Sequence, residues 1–517
     1  MQVRKSTNRR EFLKLAAGAA AATAIAACSS APAASPTTAP AATQAPAPTT
    51  AAAAKPTAAA TTAAAPTTAA TTAATAAAKP TVAATAAAGT TPAAGSTPGT
   101  FALNYVSPPL KTPAGWVPAT GQLEIFSWWT SGGETQALNY LYQDYKQLDP
   151  AIKIVNSAIT GGTASGGNMK AVLQTRVMGG DPPESFQIHL GHELLDSYVA
   201  AGKMEPLDSL YNDEGYPKVF PQMLINIASA GGKPYSVPVN LHRANVLWYN
   251  KSMMTEIGQA AAPKDWNEFK VVAEKLKAKG VAALGLAENA PGPSAELFES
   301  MLQGQSSLGP AAYRGLFDGT TSWADPKIKA TLDVFVSLIP YFNPDFTSVA
   351  WADINKLLEN KKVAMMVMGD WTPGVLWSDG FTDFGWADCP DAPMTYSMLS
   401  DSFGLPKGVK NRDAAVNWLK VCGSKHAQEG FNFYKGSIPA RTDADISQYS
   451  DYHKWAQKEW TDPKTQIVPS IVHGAAASPA FNVAFQTAIN VLATKKDVNQ
   501  AQAALIKAAK DAKYKTT

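Results

Sequence analysis

The sequence predicts an α/β protein of two lobes, preceded by a long amino-terminal segment without a globular fold. Apolar strand-like segments alternate with helical segments from Gln122 onward, a rhythm typical of a sheet covered by helices. All 13 tryptophans lie at Trp116 or later, so the part that can form a core is about 400 residues long. That length is typical of two domains or lobes.

The amino terminus has the features of an export signal. The stretch MQVRKSTNRREFLKLAAGAAAATAIAACSS begins with basic residues, continues through an apolar run and ends in small residues. Arg9 and Arg10 resemble a twin-arginine signal, although Asn8 stands where Ser or Thr is usual. Cys28, which follows the letters IAA, resembles the lipid-bearing cysteine of a bacterial lipoprotein. We therefore expect residues 1–27 to be a signal peptide, and the exported chain to be lipid-anchored through Cys28 to the outer face of the bacterial cell membrane.

Residues 28–119 are predicted to form a disordered tether. From Ser29 to about Thr100 the chain is mainly Ala, Thr and Pro, and Lys55 and Lys79 are its charged residues. Alanine and threonine bury too little apolar area to offset the entropy lost on ordering. The composition is also typical of O-glycosylated stalks, so glycosylation is left open.

The charge balance argues against nucleic acid as a partner. The first 119 residues carry eight basic and one acidic side chain, which leaves 36 basic and 40 acidic side chains in the remainder. A weakly acidic body lacks the basic surface that nucleic acid requires. Cys389 and Cys422 match no metal-binding spacing, and either a disulfide or two free buried thiols remains open.

The first part of the folded region has a βαβαβ pattern. A helix is expected over about Thr135 to Leu148, and a second helix in NMKAVLQTRVMGG. The strands are expected in QLEIF, AIKIVNSAI and ESFQIHL. This order predicts a parallel sheet. The extended stretch GGKPYSVPVNLHRANVLWYNK, with Pro234 and Pro238, is expected to cross between the lobes.

A second alternating series follows the crossing. It predicts a helix over about Trp266 to Lys279, a short strand AALGL, helices near 326–339 and 354–359, and a strand in KVAMMVMGDW. The chain from Asn411 onward is predicted to be mainly helical.

Two adjacent tryptophans follow the first predicted strand. Side chains alternate between the two faces of a strand, so Trp128 and Trp129 cannot both fill one core. Ligands of open parallel sheets bind at the carboxyl ends of the strands. A contact with ligand and simple packing at the edge of the sheet are both open on this stretch alone.

No catalytic motif is evident in the sequence. TGGTASGGNMK lacks the Gly-Lys-Ser/Thr ending of a phosphate-binding loop, and no Gly-x-Ser-x-Gly elbow is found. His189 and His192 are three apart, but they do not form a His-Glu-x-x-His zinc motif. A glycosidase with paired carboxylates stays open, with Glu134, Asp181, Glu184 and Asp370 as its candidates.

Several long motifs, in order, resemble one family. GKPYSVPVNLHRANVLWYNKSMMTEIG, KVAMMVMGDW and DSFGLPKGVKNRDAAVNWLKVCGSKHAQEGFN resemble the sugar-binding lipoproteins of bacterial ABC importers. EIFSWWTSGGE, GGDPPESFQIH, LSDSFGLPKG and KGSIPAR with VPSIVHGA resemble the glucose/galactose-binding subgroup. The resemblance implies a two-lobed periplasmic-binding-protein-like fold of type II, with the ligand cleft between the lobes. The first lobe would comprise residues 120–238 and 364–397, and the second 239–363 and 398–517.

The resemblance also implies which residues bind the sugar. The implied set is Trp128, Trp129, Glu134, Gln187, His189, Trp351, Asp370, Lys407 and His473. His242 and Arg243 are assigned instead to the crossing, where they would tie backbone or carboxylates together. The loop LAENAPGPSAELFES lacks the tryptophan that the family often has there, which leaves one wall of the pocket undetermined.

We therefore expect a non-enzymatic, monomeric receptor that captures a monosaccharide, glucose or galactose, and delivers it to the transmembrane subunits of an ABC permease. The resemblance implies no cofactor and no metal. The alternatives are a secreted glycoside-active enzyme that uses paired carboxylates, or a sugar-sensing receptor for a signalling partner.

Overall fold

The structure is a computed structural model that describes residues 104–159 and 166–517. The predicted signal peptide, Cys28 and most of the predicted tether lie outside the described residues. Within those two ranges, no helix is both long enough and apolar enough to span a bilayer.

Lobe 1 is built on a five-stranded sheet whose strand order is β2-β1-β3-β13-β6. Its strands are β1 (Gln122–Phe126), β2 (Lys153–Asn156), β3 (Ser185–His189), β6 (Ser236–Pro238) and β13 (Asp401–Gly404). The first three are parallel, as the βαβαβ pattern predicts, and β13 runs antiparallel to both β3 and β6. A short hairpin of β4 (Ser229–Ala230) and β5 (Lys233–Pro234) precedes β6.

Helices surround this sheet. They are α1 (Gly132–Leu148), α2 (Gly167–Gly179), α3 (His192–Leu194), α4 (Asp208–Asp213), α5 (Gln222–Ile227), α13 (Arg412–Gly423) and α14 (Lys425–Lys435). A π-helical turn, Leu195–Val199, continues α3, and a 3₁₀ turn spans Tyr216–Lys218. Helix α1 packs along α14. Both Gly133 and Gly430 lie where a Cβ atom would collide with the neighbouring helix, so the two helices can approach closely.

Lobe 2 is built on a four-stranded sheet whose order is β11-β8-β10-β9. Its strands are β8 (Val246–Asn250), β9 (Ala282–Leu284), β10 (Val363–Met368) and β11 (Phe384–Asp388). Every residue of β10 is buried, because helices cover both faces of the sheet. Along β10, Met366 and Met368 face one core cluster while Met365 and Val367 face the other, which is the two-residue alternation of a strand.

The remaining helices lie between the strands of the four-stranded sheet in the sequence or come after its last strand. They are α6 (Lys251–Glu256), α7 (Trp266–Lys277), α8 (Pro293–Leu302), α9 (Gly309–Asp318), α10 (Pro326–Leu338), α11 (Ile354–Glu359), α12 (Thr372–Ser378), α15 (Asp451–Thr461), α16 (Pro479–Lys495) and α17 (Val498–Asp511). The 3₁₀ turns Ile339–Tyr341 and Trp351–Asp353 lie between α10 and α11. Helix α7 begins where the sequence predicts, because the Asp265 carboxylate accepts hydrogen bonds from two backbone N–H groups of its first turn.

A third sheet links the two lobes. It consists of β7 (His242–Arg243), β12 (Thr395–Leu399) and β14 (Gln466–Pro469), in the order β14-β12-β7. Strand β7 lies in the stretch that was predicted to cross between the lobes. The buried Arg243 guanidinium donates to Asp388 and Glu459, each at 2.6 Å, so the predicted role of Arg243 as a tie between carboxylates is confirmed.

The division of the chain between lobes differs from the prediction. Residues 364–397 were assigned to lobe 1, but β10 and β11 pair with β8 in the lobe 2 sheet. Residues 398–517 were assigned to lobe 2, but β13 pairs with β3 and β6, and α13 and α14 pack on lobe 1. The reason is that the chain returns to lobe 1 through β12 and β13, a pairing of distant segments that local patterns do not reveal.

The predicted tether is also too long at its carboxyl end. Residues 104–119, which we call the strap, lie along α1, α13 and α14 of lobe 1. The Trp116 ring packs edge-on against Tyr145, and Ala119 is buried. Lys420 Nζ donates to the carbonyls of residues 114 and 115, at 2.9 and 3.0 Å. The strap has no regular secondary structure but is held by side chains of the folded body.

Cys389 and Cys422 are free thiols. Each is buried, and they belong to different core clusters, with Cys422 in the cluster of lobe 1 and Cys389 in the other. Burial raises the pKa of both thiols, so neither has the character of a reactive thiolate.

A chain that begins at Gln122 should be less stable than one that begins at Asn104, by about 2 kcal/mol or more, because it loses the Trp116 packing and the two strap carbonyls that accept from Lys420. Urea unfolding of the two chains measures the difference. In the longer chain Trp116→Ala should reproduce part of the loss, whereas Val106→Ala, whose side chain is 72% exposed, should not. Equal unfolding midpoints for the two chains would show that the strap adds no stability.

Candidate functional site

A cavity lies between the lobes where several strands end. Eleven residues line it, namely Trp128, Trp129, Glu134, His189, His242, Trp351, Trp371, Leu399, Asp401, Lys435 and His473. Trp351 is half-buried and the other ten are buried. Strands β1, β3, β7, β10 and β12 each end within a few residues of one of them. This is the position at which open α/β sheets bind ligands.

Both tryptophans of the adjacent pair border the cavity. Strand β1 ends at Phe126, so the strict alternation of a strand no longer separates the two side chains. Trp128 lies edge-on to His189 with the ring centroids 4.9 Å apart. Trp129 is 1% exposed and packs on Phe431, with the Lys435 ammonium 5.5 Å from its ring centroid.

Trp371 supplies a further aromatic wall from the end of β10. Its ring is 5.4 Å from that of His242 and 5.2 Å from that of His473. A Cβ atom at Gly369 would lie 2.2 Å from this indole, so the glycine before Asp370 allows the ring to fold back over its own backbone. Trp351 approaches from a 3₁₀ turn before α11.

A chain of buried charges crosses the base of the cavity. Nδ1 of His242 contacts the Asp370 carboxylate, and Nε2 lies 3.2 Å from the Asp401 carboxylate. Burial lowers the pKa of His242, but Asp370 and Asp401 outweigh burial, so the pKa is raised above its ordinary value. Burial raises the pKa of Asp401, but His242 outweighs it and holds that pKa far below its usual range. Each ring nitrogen of His242 thus faces a carboxylate, and this geometry favours the protonated form of the ring.

The Asp401 carboxylate, at the start of β13, accepts hydrogen bonds from two side-chain amides. Gln187 Nε2 and Asn240 Nδ2 each donate to it at 2.8 Å. The side-chain oxygen of Gln187 accepts the backbone N–H of Trp128 at 3.1 Å. Gln187 thus uses both ends of its amide within the wall and does not line the cavity, and it acts on the site by fixing Asp401 and Trp128.

Lys435, at the end of α14, is the buried ammonium of the cavity. It lies 2.9 Å from the Glu134 carboxylate, and both side chains line the space. Lys407, the predicted lysine, is exposed in the turn after β13, where its backbone N–H donates to the Lys203 carbonyl. The structure therefore does not bring Lys407 to this cavity, because the chain turns away from the cleft before reaching that residue.

His189 lies between two carboxylates of lobe 1. Its Nδ1 is 3.0 Å from Glu193, and its Nε2 is 3.7 Å from Asp401. Glu193 also accepts the Lys170 ammonium at 2.8 Å, and that ammonium lies 4.9 Å from the centroid of Trp128. The ring of His189 is held in position from both sides.

His473 approaches from the lobe 2 side in the neutral form, because burial and the nearby His189 and Lys170 hold its pKa well below the ordinary value. Its Nδ1 lies 2.9 Å from the Ser470 hydroxyl, which donates to Glu299. The serine oxygen therefore accepts Nδ1–H, and Nε2 is left as the acceptor. Nε2 is buried without a hydrogen-bond partner among the described residues.

The structure brings six of the nine predicted site residues to the cavity wall: Trp128, Trp129, Glu134, His189, Trp351 and His473. Gln187 and Asp370 lie behind the wall, where Gln187 bonds Asp401 and Asp370 contacts His242, and Lys407 lies apart. Sequence reasoning missed His242, Trp371, Leu399, Asp401 and Lys435. His242 was assigned only to the crossing, and Asp401 and Lys435 stand in the quoted motifs LSDSFGLPKG and KGSIPAR, where a different lysine was chosen.

The carboxylates proposed for a glycosidase do not face one another across the cleft. Asp181 and Glu184 precede β3, at the end of the sheet opposite to the cavity. Glu134 is paired with Lys435, and Asp370 with His242. No group of His, Cys, Asp and Glu side chains suited to a metal ion occurs within residues 104–159 and 166–517.

The stability of the protein should fall as pH rises above the unfolded-state pKa of histidine, about 6.5. A raised folded-state pKa means that the contribution of His242 is complete below its unfolded pKa and is lost as pH rises through the folded pKa. The slope of melting temperature against pH measures this loss.

His242→Gln should flatten that slope, whatever its effect on stability at any one pH. Asp144 also raises the pKa of His426, so part of the slope will persist in His242→Gln. His192→Gln, an exposed histidine, is the matched control. A wild-type slope kept unchanged in His242→Gln would contradict the charged state assigned to His242.

Comparison with known proteins agrees with this architecture. The sequence profile of bacterial extracellular solute-binding proteins matches residues 129–429. The crystal structure of the bacterial solute receptor AcbH superposes with a TM-score of 0.67 at 19% identity, covering 76% of this chain and 99% of that one. The predicted two-lobed α/β fold is confirmed by this match.

Two relatives extend the similarity over most of the folded region. An uncharacterised ABC transporter extracellular-binding protein of Pyrococcus horikoshii is 37% identical over 396 residues, 75% of this chain and 87% of the relative. A probable sugar-binding periplasmic protein of Mesorhizobium japonicum is 32% identical over 405 residues, 76% of this chain and 94% of the relative. These relatives are binding proteins, in agreement with the prediction that the chain is not an enzyme. The chain belongs to the family of bacterial extracellular solute-binding proteins.

Proposed function

We propose that the cavity between the lobes binds a monosaccharide, glucose or galactose, which the protein then delivers to a permease. The chain is the substrate-binding component of an ABC sugar transporter, in keeping with what its relatives are named for. The observation that carries the proposal is a cavity lined by four tryptophans in which two buried polar atoms, Trp129 Nε1 and His473 Nε2, have no partner among the described residues.

This arrangement suits the two kinds of surface on a sugar. The apolar CH face of a pyranose packs on an aromatic plane, and Trp128, Trp129, Trp351 and Trp371 offer several such planes. Hydroxyl groups both donate and accept hydrogen bonds, so the Trp129 N–H and the His473 nitrogen would each gain a partner. Buried polar atoms normally have partners, and these two are suited to a ligand that carries hydroxyls.

Charged side chains would orient the ring. The Glu134 carboxylate accepts hydroxyl donors, and the Lys435 ammonium donates to hydroxyl oxygens. Asp401 faces the cavity from the base. Glucose and galactose differ in the orientation of a single hydroxyl, so preference between them depends on which of these groups meets it.

Sugar entry requires the lobes to move apart. The cavity has a volume of about 20 Å³, which is near the space of a single water molecule and too little for a pyranose ring. Because its walls come from both lobes, separation of the lobes would open it and contacts to sugar would favour closure. A permease that recognises the closed form would then distinguish loaded from empty protein.

Titration with glucose, galactose, mannose, xylose and maltose, followed by tryptophan fluorescence and calorimetry, tests the assignment. One or two monosaccharides should give saturable binding. Lys435→Met should weaken that binding at least on the order of 100-fold, because it leaves Glu134 buried without its partner and removes a hydroxyl donor. Lys407→Met, at the exposed lysine, is the matched control and should bind as the wild type does. Calorimetry showing no binding of any of these sugars would contradict the monosaccharide assignment.

The anchor forms a separate part of the proposal. Residues 1–27 would be removed on export, Cys28 would carry lipid, and the segment between Cys28 and the strap would tether a monomeric receptor to the outer face of the membrane. Cys28→Ser should shift the protein from the membrane fraction to the surrounding fluid, because the lipid chains are lost. Fractionation of the native host measures this. Equal membrane retention of both proteins would contradict lipid attachment at Cys28.

A further inference from the structure

The two lobes touch through backbone atoms at a place outside the cavity. In lobe 1, Gly191 and Glu193 lie directly after β3. In lobe 2, Gly474 and Ala475 lie in the turn between β14 and α16. We call these four residues the closure contact.

The contact is a close approach of two backbones. The Glu193 N–H donates to the Gly474 carbonyl at 3.1 Å. A Cβ atom at Gly191 would lie 2.8 Å from the Ala475 Cα, and a Cβ atom at Gly474 would lie 2.7 Å from the Glu193 Cβ. Real Cβ atoms do not approach other heavy atoms so closely, so the two segments can meet only because these positions are glycine.

Each side of the contact is attached to a residue of the cavity. Glu193 is bonded to His189 through its carboxylate, and Gly474 follows His473. The lobe 2 turn is held rigidly, because the Glu299 carboxylate accepts the backbone N–H groups of Ile471 and Val472 at 2.7 and 3.0 Å. Burial raises the pKa of Glu299 to about 7.

We infer that the closure contact forms when the lobes close and that it sets the sugar affinity without touching the sugar. Gly191 and Glu193 belong to one lobe, and Gly474 and Ala475 to the other, so separation of the lobes breaks the contact. Any interaction present only in the closed form shifts the population toward that form and tightens binding of a ligand that requires it. The inference rests on the proposed sugar-binding function, and it makes Gly191, Glu193 and Gly474 positioning residues for closure.

Gly474→Ala tests the inference against a matched glycine. Gly474 and Gly202 both have φ of +68°, but a Cβ at Gly202 meets nothing within 4 Å. The two substitutions therefore impose the same backbone strain, and only Gly474→Ala obstructs the lobes. Gly474→Ala should weaken binding of the sugar that the wild type binds on the order of tenfold. Gly202→Ala should leave affinity unchanged within about twofold.

A distance measurement reports closure directly. Val172 on α2 and Val483 on α16 are exposed, one on each lobe, and cysteines at these positions can carry spin labels in a Cys28→Ser chain, since Cys389 and Cys422 are buried. With saturating sugar, the wild type and Gly202→Ala should show the short inter-label distance of the closed form. Gly474→Ala should retain a substantial longer component.

The outcomes separate the two proposals. A wild type that binds none of the sugars contradicts the proposed function. The label distances measured without sugar then still test the contact, and identical distances in the three proteins overturn it. Gly474→Ala with the affinity of the wild type overturns the inference, and so does a distance distribution identical to that of the wild type. Equal weakening in Gly202→Ala and Gly474→Ala overturns it as well, because backbone strain alone would then explain the effect.

Discussion

The architecture depends on a buried imidazolium held between two carboxylates. Asp370 lies two residues after the end of β10 in the lobe 2 sheet, Asp401 begins β13 in the lobe 1 sheet, and His242 bridges them from β7. Removing such charges from water is costly, so the arrangement persists only because every member has partners. The Arg243 backbone N–H donates to Asp370, and Asn240 and Gln187 donate to Asp401. The crossing strand is thus fixed to both sheets at the base of the cleft.

Two histidines of the same cavity are in opposite protonation states for identifiable reasons. His242 contacts two carboxylates, which outweigh the cost of burying its charge. His473 is equally buried but faces His189 and Lys170, and its hydrogen-bond partner is the neutral Ser470 hydroxyl. Neighbouring charge and desolvation, rather than the residue type, decide the state of each ring. Both ring nitrogens of His242 contact carboxylates of the protein, whereas Nε2 of His473 has no hydrogen-bond partner among the described residues.

Sequence patterns identified the elements better than their arrangement. The apolar runs of β1, β3 and β10 and the helix that Asp265 caps were predicted close to their observed bounds. The lobe boundaries differ from the predicted ones because β10 and β13 pair with strands far away in the sequence. The strap was missed because its stability comes from Lys420, Tyr145 and other side chains of lobe 1, not from its own composition.

The sequence by itself determined the α/β class, the tryptophan pair at a strand end and six of the eleven residues that line the cavity. These features depend on local apolar periodicity, on composition and on motifs that remain recognisable in one dimension. Only the tertiary structure decided that Lys435 rather than Lys407 enters the cavity, that His242 is both a crossing residue and part of its wall, and that Gly191 and Gly474 bring the lobes together. Each of these depends on which distant segments become neighbours, and pairing over long sequence separations is set by the packing of the whole chain.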